Sequence, residues 1–473
     1  MKKYILSLFS ALFILSCSDE HYENLNRDPN NPTQVSSDVL FTSATLSLTS
    51  QMTTPNYNSN PFRYYAQYWT ATTYPQEANY DMVTRNIPAN FWNNLYTNVL
   101  YDLQDAKARV AEEASGAELA SKQAQIEVIE VYTWQTLVDA FGNVPYTEAL
   151  QGKDNPSPAY DDAKTIYTDL FVRINKAIAG LSGGAAYSDS DIIYQGDVAK
   201  WKKFANGVKL KLAMRIADVD NATAKANAEA AYAGGLFTSN ADNATVTYEG
   251  GNENPVWVNL VQSGRSDNIA ADTMTDLMNA LADPRRPIYF DQNLGTGVYE
   301  GGPYGANNAF ANYTHVGPTL IDPAAEAILM DYAEVNFMLA QAAQMGYAVG
   351  GTVESYYVKA ITASMNYWGV SAADQAAYLA SPEVAWATAA GDWREKLGTQ
   401  YWIAMYNRGF EGWTVWRQFD APDMNLAAES ELPVPLRFTY PIAEQNLNKA
   451  NYEAASSAIG GDTQQTKLFW DKF

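Results

Sequence analysis

The sequence predicts a mostly α-helical fold, in which paired helices carry irregular, loop-rich portions and only a few short strands. Three observations lead there. Apolar stripes at helical spacing recur from about residue 36 to about residue 419. Two stretches, near 55–90 and near 236–320, replace those stripes with Gly, Asn, Pro and aromatic residues. A strand-like pattern shows over the short run Thr245-Val246-Thr247-Tyr248. With 473 residues, 47% hydrophobic and 13% aromatic, the chain can bury a large core, and length alone permits one large domain or two or three smaller ones.

The chain opens with a short positive segment, Lys2-Lys3, and an apolar run from Tyr4 to Leu15. Such a run is too short to span a bilayer as a mature helix and reads as a secretory signal, residues 1–16, removed on export. It closes on Ile14-Leu15-Ser16-Cys17, and Cys17 is the single cysteine of the chain. Without a second cysteine it has no internal disulfide partner, and the pattern resembles a bacterial lipobox, in which the thiol is acylated. Three acyl chains, at about 0.8 kcal/mol per buried CH₂, make a far stronger anchor than a lone myristoyl chain. The alternative is an ordinary signal peptide with an incidental cysteine.

Residues 17–35 read as a linker. The run Leu25-Asn26-Arg27-Asp28-Pro29-Asn30-Asn31-Pro32 favours turns and extended backbone over helix. From residue 36 to 473 we expect one body. Ser36, Ser37 and Asp38 offer N-caps for a helix reaching about Thr49. Between Pro55 and Asn90 the aromatic spacing from Phe62 to Trp69 permits one buried helix, whereas Thr70–Arg85 has loop chemistry.

Helical periodicity then dominates. Leu95, Val99, Leu103 and Val110 share a face, and Lys122–Phe141 is a second helix, stopped by Gly142-Asn143 and Pro145. Asp161 or Asp162 caps a third, along which Ile166, Leu170, Ile174 and Ile178 recur. Trp201, Phe204, Val208, Leu212 and Ile216 mark a fourth. Further helices are expected at Ala222–Ala233, Ala270–Leu281, Pro323–Met345, Glu354–Trp368, Arg394–Asn407 and Glu411–Phe419. Each stripe needs a partner, which antiparallel pairs with short connections supply. This resembles a tetratricopeptide-like scaffold of helix pairs, although no repeat near 34 residues is visible. From Ile288 to Gly317, Gly, Asn, Pro and Tyr are too frequent for a helix, and a loop of that length is usually functional.

Composition narrows the function classes. The net charge is −22, and loss of Lys2 and Lys3 with the signal takes it to −24. An acidic surface with no basic stripe between aromatics argues against nucleic acid as a partner. No apolar run beyond the signal reaches about 18 residues; the stretch Ala324–Gly346 carries Glu326, Asp331 and Glu334. The two histidines, His21 and His315, lie far apart, so a His-rich metal site is not expected, and we assign no metal and no cofactor. Gly295-x-Gly297-x-x-x-Gly301 misses the dinucleotide spacing and sits among turn signals. Asp218, Asp220 and Asn221 start like a calcium loop but lack its Gly and distal Glu, and read as a solvated helix end. A carboxylate pair of glycosidase type could hide among 53 acids, but no motif locates one.

Several motifs together resemble the SusD/RagB-like family, and its SusD-like second branch in particular. Besides the lipobox and Leu25–Pro32 they are Phe141-Gly142-Asn143-Val144-Pro145-Tyr146-Thr147-Glu148-Ala149-Leu150, Gly196-Asp197-Val198-Ala199-Lys200-Trp201-Lys202-Lys203-Phe204-Ala205-Asn206 and Asp283-Pro284-Arg285. Tyr332-Ala333-Glu334-Val335, Gly412-Trp413-Thr414-Val415-Trp416-Arg417, Arg437-Phe438-Thr439-Tyr440-Pro441 and the closing Glu444-Gln445, Asn448 and Asn451-Tyr452 follow in order. Asp19 and Glu20 also resemble the acidic export signal of Bacteroidetes surface lipoproteins. The resemblance implies an outer-membrane, cell-surface lipoprotein held by Cys17. Its tetratricopeptide-like helix pairs would carry an irregular ligand-binding portion. It implies a hinged lid over a SusC-like TonB-dependent barrel, capturing an oligosaccharide, or in some relatives a peptide, and binding it without turnover.

A sugar ring has an apolar C–H face and a hydroxyl rim, so it stacks on Trp or Tyr while amides, carboxylates and Arg bind its edge. Candidate platforms are Trp69, Tyr74 and Tyr80 in one loop, Trp257, and Tyr299, Tyr304 and Tyr313 in another, with Arg265, Asp267 and Asn268 as polar partners. For each the alternative is a place in the core. Trp201, Trp413 and Trp416 lie at helical spacing and are assigned to the core.

Overall fold

A computed structural model describes residues 35–473, so the signal segment, Cys17 and nearly all of the 17–35 linker lie outside the described residues. The first helix, α1 (Ser37–Thr53), buries Phe41, Ala44 and Leu48 against α2 (Tyr101–Glu113). Ahead of α2, a helical run through Ile87–Asn93 and a wider turn at Asn94–Leu100 places Leu95, Val99, Leu103 and Val110 on one buried face, as their spacing predicts.

Among the described residues, four helix hairpins build most of the remaining scaffold. They are α3 (Gly116–Phe141) with α4 (Ala163–Gly180), α5 (Val198–Arg215) with α6 (Asn221–Gly234), α7 (Tyr332–Gln344) with α8 (Val353–Tyr367), and α9 (Trp393–Ala404) with α10 (Gly409–Phe419). Neighbouring pairs contact one another through α4 on α5, α5 on α7 and α7 on α9. Helix α3 stops at Gly142, whose φ of +88° is open to a residue without Cβ. Asp162 caps α4 by accepting from the amides of Lys164 and Thr165, both at 3.1 Å. Asp161 instead turns the preceding chain, taking the amides of Tyr146 at 3.0 Å and Thr147 at 2.9 Å. Asp220, at the calcium-loop look-alike, caps α6 through Thr223 at 3.1 Å.

Burial of the stripes drives the pairing. Ile166, Leu170 and Ile174 of α4 are fully buried, each gaining about 1.5–3 kcal/mol from leaving water, while Ile178 is half-buried. Trp201 and Trp413 are fully buried, as expected; Trp416 is half-buried at the edge of the core. Where helices meet, charge is also interred. Lys211 of α5 and Arg408 grip Glu334 of α7 at 3.3 and 2.7 Å, and Lys211 also pairs with Glu411 of α10. Arg285 is fully buried against Asp283, with Nε–Oδ1 3.0 Å and a second bond to Ser364 at 3.0 Å. The family-like motifs around these residues therefore mark buried ion pairs that must be satisfied in place.

Two expectations are corrected. The stretch Phe62–Trp69 is not one helix: it is a single turn, Phe62–Tyr65, broken at Gln67 (φ +51°) and followed by strand β1 (Trp69–Ala71). The helix expected at Pro323–Met345 starts only at Tyr332, because Ala327–Met330 pairs as a strand with Ala244–Val246. In both cases a long-range ladder outweighs local periodicity.

In chain order the strands are β1, β2 (Ala244–Val246), β3 (Asn268–Ala270) and β4 (Ala327–Met330). They form two antiparallel two-stranded ladders, β1 with β3 and β2 with β4. The first has Trp69 opposite Ala270, Thr70 opposite Ile269 and Ala71 opposite Asn268, so it stitches the 55–90 stretch to the 236–320 stretch. Beneath it lies an aromatic nucleus. The Phe62 ring sits 5.2 Å from Phe91, 4.9 Å from Phe410, 5.1 Å from Trp413 and 5.0 Å from Phe438, which ties the loop portion to α10. Gly412 belongs to the same seam: a Cβ there would lie 2.1 Å from the Tyr68 hydroxyl.

Candidate ligand-binding site

The ladder continues past its last strand residue. Thr72 donates its amide to the Asp267 carbonyl at 2.9 Å and its hydroxyl to the Ser266 carbonyl. Thr73 Oγ1 donates to Asp267 Oδ1 at 2.8 Å, and Arg265 Nη1 reaches Asp267 Oδ2 at 3.2 Å. The Asp267 carboxylate is thereby held at the surface between a hydroxyl and a guanidinium. Arg265 is exposed and Asp267 half-buried.

Tyr74 follows, with φ +57° and 56% of its surface exposed. Tyr80 (φ +67°) and Asn86 (φ +54°) also occupy the left-handed region. Three such non-glycine residues within thirteen positions mark a loop whose shape is imposed by its surroundings, a feature common at functional sites. Arg85 closes the loop. Its guanidinium carbon lies 5.5 Å from the Tyr57 ring centre and 5.4 Å from that of Tyr74, within cation–π range of both. The same guanidinium pairs with Glu77, whose side chain is 1% exposed. Burial raises the Glu77 carboxyl above its ordinary range, and Arg85 opposes that shift. Burial, and next the charge of Asp267, raise the Tyr57 phenol, which keeps it a hydrogen-bond donor at neutral pH.

Under this surface, Tyr57 stacks on Tyr64 at 6.1 Å, and Tyr64 donates to Asn268 Oδ1 at 2.6 Å. Asn268 is buried, and its Nδ2 has no partner. The arrangement offers the exposed Tyr74 face with carboxylate and guanidinium groups at its rim, over a buried Tyr57.

The ten predicted ligand-contact residues divide. Tyr74, Arg265 and Asp267 come together at the surface, with Asn268 directly below. Trp69, Tyr80, Tyr304 and Asn268 are corrected from surface contacts to buried supports, at 1, 2, 2 and 4% exposure. Trp69 donates Nε1 to the Tyr406 hydroxyl at 3.0 Å, with Arg63 over its ring at 4.9 Å. Tyr80 shares its hydroxyl with Gln67 at 3.1 Å, and burial pushes its phenol up to about 12. Tyr304 donates to the Tyr64 carbonyl at 2.8 Å. Tyr299 is also nearly buried, packed on Phe290 at 5.8 Å with Arg286 over it at 5.6 Å. Trp257 and Tyr313 are half-buried elsewhere in the loop portion. Sequence reasoning left out Tyr57, Arg85 and Glu77; an acid–base pair eight residues apart in an aromatic loop was the signal available.

A second concavity, about 650 Å³, lies between Pro318–Glu326, the end of α8 at Tyr367 and Trp368, and Asn407. It shares no residue with the Tyr74–Arg265–Asp267 surface. No described helix is long and apolar enough to cross a membrane.

The sequence matches, over residues 29–441, the second SusD-like family profile, described as starch-binding and associating with the outer membrane. The chain belongs to the SusD-like family. Among solved structures, this SusD-like chain is similar to a chitin-binding protein at 26% identity (TM-score 0.79, covering 92% of this chain and 100% of that one). It is also similar to a chitin-binding SusD homologue from Flavobacterium johnsoniae at 25% identity (TM-score 0.77, covering 92% and 97%). A SusD homologue from Bacteroides uniformis is 26% identical (TM-score 0.77, covering 92% and 99%). No curated protein matches the sequence. SusD-like proteins associate with a SusC-like TonB-dependent transporter in outer-membrane carbohydrate uptake, which sets the context of the site described above.

Proposed function

We propose that this SusD-like protein captures an extracellular oligosaccharide on the surface formed by Tyr74, Arg85, Arg265 and Asp267 and hands it, uncleaved, to its SusC-like barrel. The observation that carries this reading is the convergence of Tyr74, Arg265 and Asp267, distant in sequence, beside the Arg85–Glu77 pair. Tyr74 supplies an exposed ring for the C–H face of a sugar; Asp267 supplies acceptors, and Arg265 and Arg85 donors, for its hydroxyls. The chitin-binding relatives make β-linked N-acetylglucosamine oligomers the first saccharides to try. The helix hairpins are taken as tetratricopeptide-like units, and the acylated Cys17 as the tether that keeps the protein beside the barrel.

Titration calorimetry of the mature protein with neutral oligosaccharides and with peptides tests the proposal. Saccharide binding that weakens at least tenfold in Tyr74→Ala supports it. Peptide binding without saccharide binding overturns it, and release of reducing ends by the purified protein overturns the reading of binding without cleavage.

A further inference from the structure

The concavity beside α8 has its own chemistry. Trp368 closes the C-terminal end of α8, half-buried, with its ring set edge-on against Tyr289 (5.2 Å, 80°) and against Tyr367 (5.0 Å, 90°). Those contacts fix the indole in place. Behind it Tyr289 stacks on Tyr406 at 4.4 Å, and Tyr406 accepts the Trp69 indole N–H, so the Trp368 platform is braced by the same core as the ladder. The opposite wall carries two carboxylates. Glu326 Oε1 accepts the Tyr367 hydroxyl at 2.8 Å, and Asp322 Oδ1 accepts the Ala324 amide at 2.8 Å. The Asn407 amide and the Thr247 and Thr319 hydroxyls complete the polar lining.

Two features decide what fits. The volume, about 650 Å³, lies in the ~300–1,000 Å³ range of small-molecule sites, and the lining combines a rigid aromatic face with short polar groups. None of the lining residues is Lys, Arg or His. Two arginines stand behind the wall: Arg408 is committed to Glu334 at 2.7 Å and to the Leu329 carbonyl at 2.6 Å, and Arg63, buried, to the carbonyls of Thr53 and Asn407, both at 2.9 Å. An anionic ligand would meet two carboxylates with no cation lining the cleft, both arginines being buried behind it; a neutral sugar meets acceptors for its hydroxyls, and an ammonium group meets complementary charge.

We propose that this cleft is a second saccharide-binding site, which takes neutral or amine-bearing sugar units on Trp368 and excludes acidic ones. It rests on the reading of this protein as a glycan-capturing one but on different residues. A long glycan could then be held at two separate points, which raises avidity without a new contact at either.

The test uses calorimetry on the mature chain carrying Tyr74→Ala and Arg265→Ala, which removes the first surface through two exposed side chains. The probes are hexasaccharides of glucose, N-acetylglucosamine, glucosamine and galacturonate. The expected result is binding of at least one neutral or amine-bearing hexamer near one per chain, with galacturonate at least tenfold weaker. Adding Ala324→Trp, which fills the cleft from an exposed position, should weaken that binding at least tenfold, and Glu326→Gln should lower the preference for glucosamine over glucose. If wild-type protein binds a hexamer and the double variant binds none, the second site is overturned while the first reading stands. If wild type binds none, both fall. Binding unaffected by Ala324→Trp, or galacturonate bound as well as glucose, also overturns the second site.

Discussion

Thr73 donates its hydroxyl to the carboxylate of Asp267 at 2.8 Å, joining residues 194 positions apart at the edge of the β1–β3 ladder. With the Arg265 contact on the other oxygen, that bond aims the carboxylate beside the exposed Tyr74 ring. Thr73→Val should therefore leave the fold intact and weaken saccharide binding by about three- to tenfold, the worth of one hydrogen bond. Thr73→Ser, which keeps the hydroxyl, should restore it; calorimetry on the two variants compares them directly.

Tyr74 and Trp69 sit five residues apart with opposite fates. Tyr74→Ala removes an exposed ring and should change stability by no more than about 0.5 kcal/mol while reducing affinity. Trp69→Ala empties a buried site and should cost about 3–5 kcal/mol in urea denaturation. Equal loss of stability in both would contradict the division between platform and support.

Glu334 is fully buried between Lys211 and Arg408. Glu334→Gln keeps the shape and removes the charge, leaving two buried cations to share Glu411 and Asp331. A loss of about 3–5 kcal/mol in chemical denaturation is expected. A double change with Lys211→Met should recover part of it, since it removes an unmatched charge together with its partner.

Asp331 responds to pH in a defined direction. Burial, opposed by Arg408 and reinforced by Glu334, raises its carboxyl from 3.8 to about 6, with Glu411 adding in the same sense. The folded protein thus holds this proton more strongly than the unfolded chain does. Its contribution is most favourable below about pH 4, declines as pH rises from about 4 to 6, and stays at its lower value above that. Asp331 also caps α7 through the Glu334 amide at 2.7 Å. Asp331→Asn preserves a capping oxygen, so denaturation from pH 4 to pH 7 should show a smaller decline than wild type.

Cys17→Ala tests the tether. Expressed in its native setting, the variant should appear as soluble, folded protein outside the cell, with glycan uptake lost. Retention at the cell surface would place the main anchor in the barrel partner.

The scaffold was legible because helix faces repeat: Ile166, Leu170 and Ile174, or Trp201, Phe204 and Val208, announce their burial through spacing that local chemistry sets. Helix ends were legible for the same reason, with Asp162 and Gly142 where capping and chain reversal need them. The pairing of the ladders was not, although the strand-like run at Thr245-Val246 does lie in β2. Ala327–Met330 and Trp69–Ala71 are short runs whose state depends on partners many residues away, and no periodicity within them names Ala244–Val246 or Asn268–Ala270.

The same limit governed the site. Composition and motif order determined an exported, acidic, helix-rich chain with aromatic loops, and the family to which it belongs. They put Tyr74, Arg265 and Asp267 on equal standing with Trp69, Tyr80 and Tyr304. Only the tertiary structure separated them, because a tyrosine in a loop is platform or pillar according to what packs over it, and that cover comes from Gln67, Tyr406 and the Phe62 nucleus. The sequence supplies the rings and the charges; the long-range pairing of β1 with β3 decides which of them face water.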